Sequence, residues 1–520
     1  MPSSVESPLR ESLFSFNIKL VHPFLSNPRW KIIPGLLFAC LTPYIPWVNE
    51  LESEARFTAA IVVLTAWCWL TSALPIPVAS LLPAFLLPVT GVLSAQDVAP
   101  LYFQDILLLF LGGFILALSL ERHQLHKRFA LRAINVFGVQ PRRVVLGFMV
   151  AAACLSMFVS NTSTALLLLP VALAVLEGCS EHNRKMLSAP LLLGIAYACS
   201  IGGVATPIGT APNAVLLGQM LDRFPEAPEI PFGTWMIGAL PFVIVFLLCA
   251  WFVLVRIAWK LPNHSFPGLV ELQAQRKTQR PRTVNQNRVA LIFGSVAFAW
   301  ITRQGADFGS ISIPGWQNLL PELASDSISD ATVALGGVFL LFLFPATDAP
   351  RLMDWEDCKN IPWGVLLLLG GGFALAKACE TSGLSEAAGA SLGYFISSAS
   401  PLTAIFVVSL IVAFLTEITS NTATINLMLP LLFSTCVAAG IHPMLFAVPA
   451  TMAVSCAFML PVATPPNAIL FASGQLRISQ MARAGFLLNI LTAILVTLFA
   501  YYWTLPTWGF DVSEVPAWAQ

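Results

Sequence analysis

Ser160-Asn161-Thr162-Ser163-Thr164-Ala165-Leu166-Leu167-Leu168-Leu169-Pro170 returns later in the chain as Ser420-Asn421-Thr422-Ala423-Thr424-Ile425-Asn426-Leu427-Met428-Leu429-Pro430, identical at seven of eleven positions at an offset of 260. Each copy sets a polar tripeptide inside a long apolar run, where a polar group must find a partner or serve a ligand. A single Ser-Asn-Thr in such a run is most simply hydrogen-bond glue between helices. Two copies in matching surroundings read as two halves of one binding site.

The repeat extends outward from both copies. Gly112-Gly113-Phe114 before the first tripeptide matches Gly371-Gly372-Phe373 before the second, and Thr206-Pro207-Ile208-Gly209-Thr210-Ala211-Pro212-Asn213 matches Pro461-Val462-Ala463-Thr464-Pro465-Pro466-Asn467. The surrounding composition is 57% hydrophobic and 10% charged with a mean hydropathy of +0.78, against roughly 25% charged residues in soluble domains. These values describe an all-α polytopic membrane protein. The net charge is zero, so no global field points to nucleic acid. Ten cysteines lie mostly in apolar runs without zinc-ligand spacing and read as small core residues.

Charge placement sets the expected topology. Residues 1–30 carry Arg10, Lys19 and Arg29 and lack a signal-peptide pattern, so the N-terminus is expected in the cytoplasm. Apolar segments follow near 31–48, 57–74, 76–93 and 106–121, each near the ~20 residues that cross a bilayer. The segment 143–178 is flanked by basic residues on both sides and is expected to be a re-entrant hairpin from the cytoplasmic side. Residues 186–220 hold Pro and Gly at mid-depth and read as a broken span, followed by a span at 235–255. A linker at 259–288, with Arg276, Lys277, Arg280 and Arg282, belongs inside. Spans at 289–302, 331–345 and 362–379 then lead to a second hairpin at 400–437, whose flanks carry almost no Lys or Arg and which enters from outside. A second broken span at 443–475, a last span at 484–504 and an extracytoplasmic tail at 506–520 complete the chain. The expected architecture is an inverted-topology repeat, 31–258 and 289–505, of about eleven transmembrane helices and two re-entrant hairpins, the plan of secondary transporters.

Broken helices expose carbonyl oxygens suited to a hard cation and amide hydrogens suited to carboxylate or sulfate oxygens. Ser156 and Thr416 sit four residues before each tripeptide, a spacing that places them on the helical face of Ser160 and Ser420. No Arg or Lys occurs in either tripeptide or Pro-Asn loop. An anion bound there must have its charge balanced by co-bound cations, and co-transport follows.

The two Ser-Asn-Thr copies, Pro461 to Ile469, and Leu366 through Gly370-Gly371-Gly372-Phe373 to Lys377 resemble the divalent anion:sodium symporter family of di- and tricarboxylate and sulfate carriers, over about 30–505. The resemblance implies one sodium around Ser156, Ser160, Asn161 and Gly209, and a second around Thr416, Thr419, Asn421 and Ala463. It implies that substrate carboxylates meet Asn161, Thr162, Ser420, Asn421, Thr422, Thr464 and Pro465. It further implies a homodimer in which a domain carrying both hairpins slides past a fixed scaffold as an elevator, with sodium as the coupling ion and no organic cofactor. Ala463-Thr464-Pro465-Pro466 is closer to the dicarboxylate and citrate carriers, so sodium-coupled symport of C4-dicarboxylates such as succinate, fumarate or malate is expected. Exchange, and citrate or sulfate as cargo, remain the alternatives on this fold. An intramembrane enzyme or an anion channel are the competing classes, and no span shows a metal-ligand His pair or a paired-aspartate motif.

Other residues have plainer expectations. Glu417 reads as a satisfied structural carboxylate, with a proton or cation ligand as the alternative. Lys377 and Glu380 read as an i,i+3 ion pair. The Gly112 and Gly370 to Gly372 runs permit close helix packing, without the lysine of a phosphate loop. His123 and His126 are expected to be solvated.

Overall fold

A computed structural model describes residues 28–138, 140–264, 266, 281–307, 312–321, 327–389 and 400–519. The N-terminal segment, the loop with Arg276, Lys277 and Arg280, and Glu322 and Asp326 lie outside the described residues.

Helices α1 (Pro28–Leu41) and α2 (Ser53–Thr71) are followed by a short helix, Ile76–Ala79, and α3 (Leu82–Thr90). The apolar stretch read as one span at 76–93 is thus two pieces. Its break has a physical cause: the Ser80 hydroxyl bonds back to Ile76 O at 2.7 Å and accepts Trp69 Nε1 at 3.1 Å, while Ser80 O accepts Tyr102 OH at 2.6 Å. Next come α4 (Asp105–Arg122) and the amphipathic α5 (Leu125–Phe137), then α6 (Pro141–Ser156) and α7 (Asn161–Glu177) on either side of the first tripeptide. The first broken span is α8 (Glu181–Gly203) with α9 (Ala211–Arg223), and α10 (Phe232–Phe252) closes this half.

The second half runs α11 (Val284–Thr302), α12 (Asp330–Leu343), α13 (Trp363–Thr381), α14 (Pro401–Leu415), α15 (Asn421–Ala438), α16 (Met444–Val454), α17 (Pro465–Ala472) and α18 (Ile478–Phe499). Between α11 and α12 a small antiparallel ribbon pairs Gly305–Asp307 with Ser312–Pro314, an exception to the all-helical expectation. Among the described residues six helices are long and apolar enough to cross a membrane, and six further apolar helices are shorter.

The core is organised on α8 and α16. From Leu187 to Gly203 every residue of α8 is buried, and so is every residue of α16. A helix that is apolar on all faces finds its place only inside a bundle. The two halves then exchange partners: α7 and α8 of the first half pack on α17 of the second, and α9 packs on α15. Gln219 Nε2 on α9 ties this seam by donating to Asn426 O and Oδ1, each at 3.2 Å.

The glycine runs do what close packing requires. A Cβ on Gly112 would stand 2.7 Å from Ala334 Cβ, and one on Gly370 would stand 2.6 Å from the Tyr102 ring. Ion pairs link segments distant in sequence. Arg223 pairs with Glu380 at 2.7 Å and Glu386 at 3.0 Å, the fully buried Arg303 pairs with Asp330 at 2.7 Å, and Lys377 reaches Glu380 at 3.1 Å as its spacing predicts. Arg122 likewise joins Asp354 and Asp357. His123 and His126 differ from expectation. Both are half-buried, with His123 Nε2 2.9 Å from Leu352 O and His126 Nδ1 3.0 Å from Leu120 O. Burial holds the His126 imidazole below its ordinary pKa, because the charged form loses hydration there.

Candidate functional site

Each tripeptide sits where one helix stops and another begins. α6 ends at Ser156, and Ser160 caps α7, its hydroxyl accepting the Ser163 N–H at 3.2 Å. A serine that bonds its own downstream amide competes with helix continuation, which is why the chain breaks here. In the second half Thr419 takes a different role. Its hydroxyl donates to Leu415 O at 2.8 Å and lies 2.6 Å from Thr424 Oγ1, while the Ser420 side chain makes no cap.

The interruption changes the role of the preceding hydroxyls. The spacing argument placed Ser156 with Ser160 and Thr416 with Ser420 on one continuous helical face. The helix does not continue, and each hydroxyl instead meets the asparagine. Ser156 Oγ bonds Asn161 Oδ1 and donates to Cys199 O at 2.8 Å. Thr416 Oγ1 bonds Asn421 Oδ1 at 2.5 Å and Val454 O at 3.1 Å. The two halves build the same small cluster of hydroxyl, amide and carbonyl oxygens.

The Pro-Asn loops complete it. In the first loop the carbonyls freed by the helix break are caught by one side chain, Asn213 Nδ2, which donates to Thr206 O at 2.8 Å and Gly203 O at 3.1 Å. In the second, Asn467 Nδ2 donates to Leu460 O at 3.1 Å and Ala457 O at 3.2 Å. Backbone groups left without helical partners at depth must be satisfied this way. The loop also approaches the tripeptide: a Cβ on Gly203 would stand 3.1 Å from both Asn161 Oδ1 and Gly209 O, and a Cβ on Gly209 would stand 2.5 Å from Gly203 O. A Cβ at Gly209 would collide with backbone, and one at Gly203 would need its neighbours to give way by a few tenths of an ångström.

Of the expected site residues, the structure therefore brings together Ser156, Asn161 and Gly209 in one half and Thr416 with Asn421 in the other. The Ser160 hydroxyl is engaged in capping and Thr419 is turned to Leu415 and Thr424. Ala463 is buried and donates its N–H to Leu460 O at 3.2 Å. Asn161, Thr162, Ser420, Asn421 and Thr422 are half-buried on first helical turns, Pro465 is exposed, and Thr464 caps α17 by accepting the Asn467 N–H at 3.3 Å. Sequence reasoning missed Gly203, Asn213 and Asn467 as parts of the site. The signal for the asparagines was there, since both end the repeated Pro-Asn loops.

Matched orphans recur in the two halves. Asn213 Oδ1 and Asn467 Oδ1, and likewise Ser200 Oγ and Ser455 Oγ, are buried without a hydrogen-bond partner among the described residues. These pairs occupy corresponding positions in the two repeats. Among the described residues no group of three His, Cys, Asp or Glu gathers. The donor atoms on offer are neutral oxygens, the ligand type of a hard cation.

Glu417 is satisfied entirely by protein. Its Oε1 accepts Phe458 N–H at 2.6 Å, Met459 N–H at 2.9 Å and Asn489 Nδ2 at 2.8 Å, and its Oε2 accepts Leu460 N–H at 3.1 Å. In the first half the corresponding tie is made without a carboxylate: Thr206 Oγ1 donates to Met157 O, and Trp235 Nε1 donates to Val204 O at 3.0 Å.

A family model described as the sodium:sulfate symporter transmembrane region matches residues 26–508. The chain belongs to this family of transporters. It is similar to a sodium-dependent dicarboxylate transporter of Staphylococcus saprophyticus, SdcS, at 41% identity over 495 residues, covering 93% of this chain and 92% of that protein. The protein of the same name from Staphylococcus aureus strain RF122 is 40% identical over 504 residues, covering 95% and 94%. Among solved structures, the fold is similar to Neisseria gonorrhoeae MtrF, of a class of antimetabolite efflux pumps, with a TM-score of 0.56 and 13% identity over 91% of this chain and 98% of that one. It is also similar to the Alcanivorax borkumensis YdaH transporter, with a TM-score of 0.53 and 11% identity over 92% and 98%.

Proposed function

We propose that this chain is a secondary transporter that carries C4-dicarboxylates, such as succinate, fumarate or malate, together with sodium across the cytoplasmic membrane. The observation that carries the reading is the matched pair of oxygen clusters, Ser156 with Asn161 and Thr416 with Asn421, beside orphaned Asn213 and Asn467 oxygens and without any Arg or Lys in the loops. Sodium as co-transported cargo suits these neutral oxygens. Once bound, it supplies the positive charge that a dianion needs at a site with no basic side chain. Binding is then ordered: cations first, dicarboxylate second, because the reverse order buries unpaired charge. Asn161, Thr162, Ser420, Asn421, Thr422, Thr464 and Pro465 would face the carboxylates. The sodium-dependent dicarboxylate transporters to which the chain is similar support the choice of cargo.

The test is uptake of labelled succinate into proteoliposomes under an inward sodium gradient, with potassium as control. Accumulation above equilibrium with sodium alone is expected. Uptake driven only by internal dicarboxylate, or equal uptake in potassium, overturns sodium coupling.

The two halves are further proposed to enter the membrane in opposite senses, as about eleven spans with two re-entrant hairpins. The N-terminus would lie inside and the C-terminus outside. In a homodimer, a domain carrying both hairpins would slide past a fixed scaffold in an elevator motion. Positive-inside charge placement supports the orientation. Single cysteines at the exposed Ser180 and Ser400, at the entrances of the two hairpins, are expected to react with a membrane-impermeant maleimide from opposite sides of right-side-out and inside-out vesicles. Labelling of both from one side only removes the inverted repeat.

A further inference from the structure

A cavity of about 270 Å³ opens under α5, between α5, the end of α6 and α11. Its floor is apolar. Leu155 and Phe158 come from the α6 end, and Phe293 and Gly294 come from α11, with the Phe158 and Phe293 rings edge-to-face at 5.4 Å. Its rim is basic, carrying the guanidinium groups of Arg128, Arg132 and Arg282. Arg128 is fixed in place by donating to Gln286 Oε1 at 2.6 Å and Pro281 O at 3.1 Å, and Arg132 and Arg282 are exposed. No Asp or Glu lines the cavity. The roof, α5, exposes Phe129 and Val136 at 51% and 81%, as a helix lying along a membrane surface does.

An apolar chamber with a cationic rim fits a molecule with an acyl chain and an anionic head. We propose that this cavity binds an anionic phospholipid, its phosphate on Arg128, Arg132 and Arg282 and part of one acyl chain between Phe158 and Phe293. Basic pockets between membrane helices at the cytoplasmic side recognise acidic headgroups, and the inner leaflet supplies such lipids. The rim belongs to the end of the molecule that positive-inside charge placement assigns to the cytoplasm. A soluble anion would use the rim but not the chamber. The occupant packs on Leu155 and Phe158, in the segment that leads directly into Ser160, so the lipid braces the entry to the first tripeptide.

Gly294 offers a clean test, because a Cβ there meets nothing within 4 Å and a larger side chain can grow into the cavity. The full chain in mild detergent is titrated with phosphatidylglycerol or phosphatidylcholine of equal acyl length and examined by native mass spectrometry. Phosphatidylglycerol is expected to stay bound under collisional activation that removes phosphatidylcholine. Its retention should fall about tenfold in Gly294→Leu and in Arg132→Glu with Arg282→Glu, with thermal midpoints held. Equal retention of both lipids, or unchanged phosphatidylglycerol binding in both variants, overturns the site. Displacement by glycerol 3-phosphate alone assigns it to a soluble anion and overturns the lipid.

Discussion

Asn161→Ala is expected to reduce sodium-driven dicarboxylate uptake about 100-fold or more while the protein still folds. The asymmetry follows from what the side chain touches. Its Oδ1 meets Ser156 Oγ and faces the close approach of Gly203 and Gly209. Removing it deletes one neutral hydrogen bond, worth about 1 kcal/mol. The Ser160 cap remains, Ser156 keeps Cys199 O at 2.8 Å, and alanine suits the first turn of α7. The transported ions lose more, since a ligand to a desolvated charge contributes about 3 kcal/mol. Asn421→Ala should behave alike, because Asn421 meets Thr416 in the same way at 2.5 Å. Uptake by both variants, read beside thermal midpoint and gel-filtration profile, checks this. Normal uptake in both, with the fold intact, refutes a site shared between the tripeptides.

Glu417→Ala is expected to fail in the opposite manner, losing about 4 kcal/mol of stability before any question of transport arises. The Glu417 carboxylate is 3% exposed and collects three consecutive backbone N–H groups, at Phe458, Met459 and Leu460, with the Asn489 amide as a fourth donor. Alanine leaves the three backbone N–H groups without their acceptor and takes one of two acceptors from the Asn489 amide, which keeps Ala413 O at 3.4 Å. Glu417→Gln keeps one acceptor oxygen but turns an NH₂ toward the N–H groups, so thermal midpoints should fall in the order wild type, Gln, Ala. An Ala variant as stable as wild type would remove the anchoring role. Both carboxylate oxygens are already engaged, and the equivalent tie in the first half uses Thr206 and Met157, so the geometry favours an anchor over an ion ligand.

The sequence alone determined where most helices exist and where the repeated loops break them, though not the break at Ser80 or the helix Leu125–Phe137. The bilayer-length apolar runs, and the Pro, Gly and Ser residues that interrupt them, act through local backbone chemistry. That is why the breaks at Ser160, Ser420, Thr206 to Asn213 and Pro461 to Asn467 were legible, as was the pair of Lys377 with Glu380. The internal repeat was legible too, since it is a property of the string. What the sequence did not hold is which neighbour each polar atom finds. Spacing along a continuous helix paired Ser156 with Ser160, yet the break turns Ser156 toward Asn161 and Cys199 O. His123 and His126 looked solvated in a basic stretch, but carbonyls of Leu352 and Leu120 receive them. The seam in which α7 packs on α17 and α9 on α15 was likewise invisible. Apolar periodicity says which face of a helix seeks burial and nothing of which distant helix covers it, and that choice belongs to the tertiary structure.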